Sequence, residues 1–359
     1  MSAPAAKTNL LGLTRAGMEA FVAGMGEKPF RARQLMKWMY RRAVGDFDGM
    51  TDLGKDFRRR LAEIAEISVP EVITSQASAD GTRKWLLRFE SGQAVEMVFI
   101  PEPGRGTLCI SSQVGCAMDC GFCSTGAQGF NRNLTTAEIV GQVWLANREL
   151  GYSPDGDRVI TNVVFMGMGE PLHHYEETAR AIRLITHPDG LNMGPRRITV
   201  STVGLSPGIR RLGEDFAGKV GLAISLHAPD EATRGRIIPI NRRYPLGELI
   251  ETLRRYPLPR RRRITIEYTL IDGVNDSPEQ ARALVRTLRG LRVKVNLIAM
   301  NAIGASQLRA PPPARVEQFR AVLTDSGLSC FLRTRRGDDV SAACGQLALS
   351  GDLVRRRGD

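Results

Sequence analysis

Three cysteines fall within eight residues, Cys116-Ala-Met-Asp-Cys120-Gly-Phe-Cys123, in the spacing C-x3-C-x2-C. A structural zinc site wants four ligands, normally as two separated pairs, and neither a second C-x2-C nor a nearby histidine completes the set. Three thiolates instead match three corners of a cubane iron-sulfur cluster, whose usual complement is four cysteines. The fourth iron is then open to a chelating ligand. S-adenosylmethionine (SAM) carries such a chelate in its amino and carboxylate groups.

Other polar residues stand where strands are predicted to end. Gly167-Met-Gly169-Glu170-Pro171 is a glycine-rich turn carrying a carboxylate. Ser201, Ser225, His227 and Asn301 close or follow later strands, as small polar groups suited to a ribose, an adenine or a carboxylate. Cys344 lies in a run of small residues, Gly337-Asp-Asp-Val-Ser-Ala-Ala-Cys344-Gly, whose flexibility suits a mobile nucleophile. Cys109 reads as a small buried hydrophobe in a strand, and Cys330 as core. Glu96, in Val-Glu96-Met, points to solvent if strand alternation alone decides.

Positioning these groups requires strands alternating with helices. From residue 107 onward, β-branched runs at 107 to 112, 161 to 166, 197 to 202, 220 to 226, 263 to 270, 293 to 299 and 329 to 333 are separated by helical stretches. Such alternation predicts a parallel sheet, and six or more units predict a full or partial α/β barrel. The polar residues above sit at its C-terminal rim, where barrels place active sites. Before the barrel, 84 to 100 alternates like a β-hairpin, and Pro101 and Pro103 mark a boundary. The first 65 or so residues read as helical, with Pro29 at a first helical position and Phe30, Leu35, Met36 and Met39 at helical spacing. Arg31, Arg33, Lys37, Arg41 and Arg42 interleave with Trp38 and Tyr40, a pattern that stacks bases and neutralises phosphates.

The chain has 359 residues, 42% of them hydrophobic, and a formal charge of +12. A polyanionic partner is implied, nucleic acid first. Arg260 to Arg263 and Arg355 to Arg357 are the densest basic runs and serve as solvated loops or phosphate contacts. Six cysteines without a secretory signal argue for metal or redox chemistry in the cytosol rather than a disulfide framework, and no apolar stretch reaches the ~18 residues of a membrane span.

The C-x3-C-x2-C triplet is the signature of the radical SAM superfamily, and the Gly-x-Gly-Glu-Pro turn resembles that superfamily's SAM-amino-group element, assigned here to Gly169 and Glu170. Across nearly its whole length the chain resembles the RlmN family. The matching segments are GEKPFRARQLMKWMY ending at Tyr40, VGCAMDCGFCSTGAQGFNRNLT from Val114, FMGMGEPL from Phe165, STVG from Ser201, SLHAP from Ser225 and RGDDVSAACGQL from Arg336. The resemblance implies an α/β fold, a partial (βα)6 TIM-like radical SAM barrel with a small helical N-terminal accessory domain and a β-hairpin extension. Its parts would be an RNA-binding accessory domain at 1–68, the extension at 69–101, the core barrel at 102–337 and a tail at 338–359.

The resemblance also implies an enzyme forming 2-methyladenosine in 23S ribosomal RNA and in tRNA, with one 4Fe-4S cluster on Cys116, Cys120 and Cys123. Two SAM molecules are used per methylation. One methylates Cys344. The second, cleaved at the cluster, yields a deoxyadenosyl radical that activates the S-methyl group for addition to C2. Glu96 would take the C2 proton, and Cys109 would attack the sulfur of Cys344, leaving a disulfide for later reduction. Gly169, Glu170, Ser201, Ser225, Leu226, His227 and Asn301 would hold SAM. A flavodoxin-type electron donor, a monomeric state, no membrane partner and a flipped-out target base are further expectations. A sister family that methylates C8 shares the cluster and both extra cysteines, and Pro171 favours the C2 enzymes. A zinc-bearing RNA-binding module without catalysis is the alternative of another class.

Overall fold

The computed structural model of the chain describes residues 7–304 and 306–348, so the Arg355 to Arg357 run lies outside the described residues. A short parallel pair, β1 (Thr8–Asn9) with β2 (Ala65–Glu66), closes the N-terminal unit of three helices, Arg15–Gly24, Phe30–Met36 and Lys55–Ile64. Leu10, Leu11, Met18, Val22, Leu35, Met36, Met39 and Leu61 bury the apolar stripes of these helices in one core. Pro29 is the residue just before the second helix. That helix continues through a π-helical turn, Lys37–Arg41.

The π turn sends its aromatic side chains inward. Trp38 and Tyr40 are buried, the Tyr40 hydroxyl donates to Leu11 O at 2.9 Å, and Arg41 donates to Pro188 O, while Arg15 and Arg33 pair with Asp189. The expected base-stacking surface is therefore corrected. These aromatics are packing groups, and two of the cations, Arg33 and Arg41, together with Arg15 dock the unit onto the barrel. Trp144 completes the joint by donating its indole N–H to Met39 O at 2.7 Å.

Next come β3 (Glu71–Ala77), β4 (Arg83–Arg88) and β5 (Ala94–Glu102), an antiparallel meander of three strands where a hairpin is expected. It continues without a break into the barrel sheet, because β5 pairs antiparallel with β6 (Arg105–Ile110) across a turn at 103–104. A small ladder of β7 (Gln113–Gly115) and β8 (Phe130–Asn133) follows. The remaining strands, β9 (Asn162–Phe165), β10 (Ile198–Thr202), β11 (Gly221–Ser225), β12 (Ile264–Leu270), β13 (Val293–Ala299) and β14 (Cys330–Leu332), run parallel to β6 in the order β6-β9-β10-β11-β12-β13-β14. These are the seven strands predicted from the β-branched runs, and with their intervening helices they form a partial TIM-like barrel.

Outward-facing Ile198, Val200, Ile224, Ile264 and Ile266 are buried under the helices. The inward positions are different. A barrel lumen is normally filled with branched apolar side chains, yet here Thr199, Ser201, Thr265, Glu267, Lys294 and Asn296 line open space inside. A polar lumen has to be occupied by something that hydrogen-bonds.

Two sequence expectations change at this level. Glu96 is buried, not solvent-facing, because β5 is an interior strand whose residues 94–99 are covered on both faces. The Arg260 to Arg263 run lies just before β12, at the end of the barrel opposite the rim, where Arg262 donates to Lys219 O and Arg263 to Ser329. It is bound to neighbouring loops and stands away from the site.

Candidate active site

The cysteine triplet forms a loop between β7 and β8, and backbone hydrogen bonds set its shape. Cys116 N–H donates to Gly129 O, Cys123 N–H to Cys120 O, and Gly121 N–H to Ile237 O at the end of the helix Glu231–Ile237. Burial pushes the Cys116 thiol up to about 12 and Cys120 well above its ordinary value, and the neighbouring cysteines add to both shifts. Two thiols held so high become thiolates together only around a group that supplies positive charge. Among the described residues, no three His, Cys, Asp or Glu donors converge on one point where a single ion would sit. A cubane instead spreads its cysteine ligands over separate irons, and all three cysteines line one cavity of about 1000 Å³, its mouth included.

The same cavity is lined by Gly169, Glu170, Ser201, Ser225, His227, Asn301 and Cys344. Gly169 has φ +98°, and a Cβ there would lie 2.5 Å from Gln113 Cβ, so this turn accepts only glycine. The tight turn lets Glu170 N–H reach Gln113 Oε1 at 2.8 Å. Glu170 is buried, and its two oxygens accept from Leu172 N–H at 3.0 Å and Val203 N–H at 2.9 Å, which ties the turn after β9 to the loop after β10. Burial pushes its carboxyl up to about 7 against those hydrogen bonds, so a cationic amino group would meet a carboxylate lacking a counter-charge.

His227 is held at φ +55° with its ring edge-on to Phe122, and Nδ1 accepts from Thr269 N–H at 2.8 Å. Burial, with Arg234 adding, pushes its pKa down to about 3. The ring is therefore neutral, with its proton on Nε2. Asn301 donates to Cys344 O at 3.0 Å, but its buried Oδ1 has no hydrogen-bond partner. Leu226, assigned to SAM by resemblance, does not line this cavity. Its side chain is fully buried, and only its backbone takes part, donating to Glu267 O and accepting from Arg234.

The C-terminal segment closes the site from above. Gly345 O accepts from Ser124 N–H at 2.7 Å, and Leu347 O from the Thr125 hydroxyl at 2.7 Å, so the segment lies on the cysteine loop itself. Its approach is fixed by the turn between β3 and β4, where Asp80 accepts from Gly337 N–H at 3.1 Å and Asp339 from Ala79 N–H at 3.2 Å. Cys344 thereby lines the cluster cavity and also a second lumen cavity, which contains Cys109. All six cysteines are free thiols, so the disulfide expected from the resemblance is not present in this structure. Cys330 is buried, on β14. Glu96 lines neither cavity. Its Oε1 pairs with Lys84 Nζ at 3.0 Å, and its Oε2 accepts from Ala348 N–H at 2.8 Å.

Sequence reasoning missed four residues here. Arg234 is fully buried and donates to Leu226 O, Asn241 Oδ1 and Val203 O, bracing the loops after β10 and β11 beneath Cys120. Arg333 follows β14 in the wall shared by both cavities, with Glu267, Cys344 and Cys109 around its guanidinium. The strand-end rule that found Asn301 would have found Arg333 too. Lys84 and Glu267 sit inside strands, where spacing alone gives no signal.

The central segment, residues 110–285, matches the model of the Radical SAM superfamily, and residues 8–67 match that of the Ribosomal RNA large subunit methyltransferase N-terminal domain. A radical SAM methyltransferase from Sphaerobacter thermophilus, known from its crystal structure, superposes with a TM-score of 0.88 at 45% identity, covering 95% of this chain and 99% of that one. Barrel, cysteine loop and match together define a radical SAM enzyme. The chain is 51% identical over 349 residues to the dual-specificity RNA methyltransferase RlmN of Marinobacter nauticus, covering 97% of this chain and 94% of that one. It is 50% identical to its counterpart in Sorangium cellulosum, covering 92% and 93%. The chain belongs to the RlmN family.

The family's cofactors are a 4Fe-4S cluster and SAM, and the residues present fit both. Cys116, Cys120 and Cys123 supply a three-thiolate donor set. Beside them, buried Glu170, the orphaned Oδ1 of Asn301 and the Nε2–H of His227 offer acceptors and a donor to an amino acid and a nucleoside.

Proposed function

We propose that this chain methylates C2 of adenosine in 23S ribosomal RNA and in tRNA. One observation carries the reading: Cys344 lines the cavity of the cysteine triplet and, on its other side, the cavity that contains Cys109. A methyl carrier that must visit a cofactor and a resolving thiol needs that position. When bound, cluster and SAM supply the methyl group and the radical that activates it. Adenine C2 is electron-poor, so an electrophilic methyl is not simply handed to it.

Cys344 accepts the methyl group as a thiolate, with the Arg333 guanidinium as its counter-charge. After loss of one hydrogen atom to the radical that cluster and SAM would supply, its S-methyl carbon bonds to C2, joining protein and RNA in an adduct that carries one unpaired electron. Glu96 takes the C2 proton once Ala348 N–H withdraws from Oε2, while Lys84 keeps hold of Oε1. Cys109 gives up its proton and attacks the Cys344 sulfur, which breaks the bond from sulfur to the transferred carbon. That carbon takes up a proton to become the methyl group, the surplus electron would return to the cluster, and the disulfide formed is reopened by a two-electron reductant. The enzyme acts in the cytoplasm as a monomer, fed by a flavodoxin-type donor. No helix among the described residues is long and apolar enough to cross a membrane.

Mass spectrometry of nucleosides from rRNA and tRNA treated with reconstituted enzyme tests the assignment. Accumulation of 2-methyladenosine is expected, and 8-methyladenosine as sole product overturns it. Pro171 in the Gly-Glu-Pro turn is the residue that favours C2.

A further inference from the structure

Glu267 points into the barrel lumen from the middle of β12, at the level of Ser225 on β11 and Asn296 on β13. It is 5% exposed. Asn296 Nδ2 donates to Oε1 at 3.0 Å, which fixes the plane of the carboxyl group. The other oxygen, Oε2, is buried with no hydrogen-bond partner. Leaving a buried acceptor unsatisfied costs about as much as the hydrogen bond it forgoes, so folded chains rarely keep one without a ligand to fill it.

The position of this oxygen narrows the ligand. Glu267 belongs to the wall common to both cavities, together with Arg333 and Cys344, and Cys109 faces the second of them. A base that receives carbon from Cys344 and is released by Cys109 must lie against that wall. Among purines, adenine presents an exocyclic amine, a donor, where guanine and hypoxanthine present a carbonyl oxygen. Burial pushes the Glu267 carboxyl up while Arg333 and Lys294, which line the same cavity, favour its ionised form, and a carboxylate oxygen accepts from the first and repels the second.

We propose that Glu267 is the specificity residue that selects adenine as the target base, its free oxygen accepting from the exocyclic amine. This rests on the adenosine-methylating reading above and adds the group that recognises the base. The Asn296 contact makes the assignment testable. In Glu267→Gln, the amide oxygen takes over the bond from Asn296, and an N–H donor replaces the free acceptor.

The test uses reconstituted holoenzyme and one RNA fragment carrying adenosine, purine riboside or inosine at the target position. For the wild type, losing the amine in purine riboside is expected to lower kcat/KM roughly 10- to 100-fold, as for a hydrogen bond to a charged group. Glu267→Gln should lose a similar factor on adenosine, change little on purine riboside and gain on inosine. Glu267→Leu should lose on adenosine without the inosine gain, which keeps the test open if one variant folds poorly. SAM affinity without RNA should stay unchanged in both. Equal losses on all three RNAs, or a fall in SAM affinity instead, overturn the proposal, the latter because the oxygen then serves the cofactor's adenosine. RNA dissociation constants are read in parallel. Wild-type enzyme that binds with adenine selectivity but yields no 2-methyladenosine would contradict the reaction and leave Glu267 standing.

Discussion

Ala348 N–H donates to Glu96 Oε2 at 2.8 Å although the two residues are 252 positions apart. The chain end that carries Cys344 therefore rests on the carboxylate proposed to act after Cys344 has delivered its carbon. Base and methyl carrier are joined through one short segment, so movement of that segment to admit RNA also frees an oxygen of the base.

The ion pair under this contact should be measurable by itself. Lys84 and Glu96 side chains are 11% and 8% exposed, and removing one member of a buried pair strands the other, at a cost of about 3 kcal/mol. Lys84→Met should lose that much in urea unfolding. Lys84→Met with Glu96→Gln should recover most of it. A single variant within about 0.5 kcal/mol of wild type, the usual range for surface substitutions, would show the pair to be solvated.

Cys109→Ala should trap a covalent protein-RNA adduct, visible as a shifted band that survives denaturation. Cys344→Ala should form no adduct and transfer no methyl while still cleaving SAM. Normal turnover by the Cys109 variant would reject its resolving role.

Gly169→Ala places a methyl group 2.5 Å from Gln113 Cβ at φ +98°. Such strain costs on the order of 1–3 kcal/mol, and relief by shifting the turn displaces Glu170. Iron content should stay normal and SAM affinity should fall at least about tenfold, a loss of roughly 1.4 kcal/mol. Unchanged SAM binding by calorimetry would show that the turn does not shape the SAM pocket.

His227 gives a pH dependence with a defined sign. Its folded pKa, pushed down to about 3, lies below the ordinary value of 6.5. The unfolded chain therefore binds a proton that the folded chain refuses, and stability falls as pH drops from about 6.5 toward 3, by up to ~1.4 kcal/mol per pH unit. The difference in unfolding free energy between wild type and His227→Gln should shrink across that window. A constant difference would mean that the ring is protonated in the fold.

Much of this was legible in the chain. The parallel strands announce themselves through β-branched runs because both their faces are covered, and the cluster loop through thiol spacing that no other metal site shares as well. What escaped was set by distant packing. Glu96 follows the alternation rule into solvent on paper, but residues 344–348 fold back over that face. Trp38 and Tyr40 read as a stacking surface until the π turn sends them inward, where they bond Asp52 and Leu11 O. Arg234 and Glu267 carry no local signature, since the partners of Arg234 lie in the loops after β10 and β11 and at Asn241, and that of Glu267 on β13.

The central claim is that Cys116, Cys120 and Cys123 hold a cubane with one iron open to SAM. Anaerobic reconstitution followed by electron paramagnetic resonance of the reduced protein, with and without SAM, tests it most directly. Iron and sulfide near four each per chain, with a spectrum that changes when SAM is added, is the predicted result. A zinc-loaded protein, or a cluster spectrum indifferent to SAM, would contradict it.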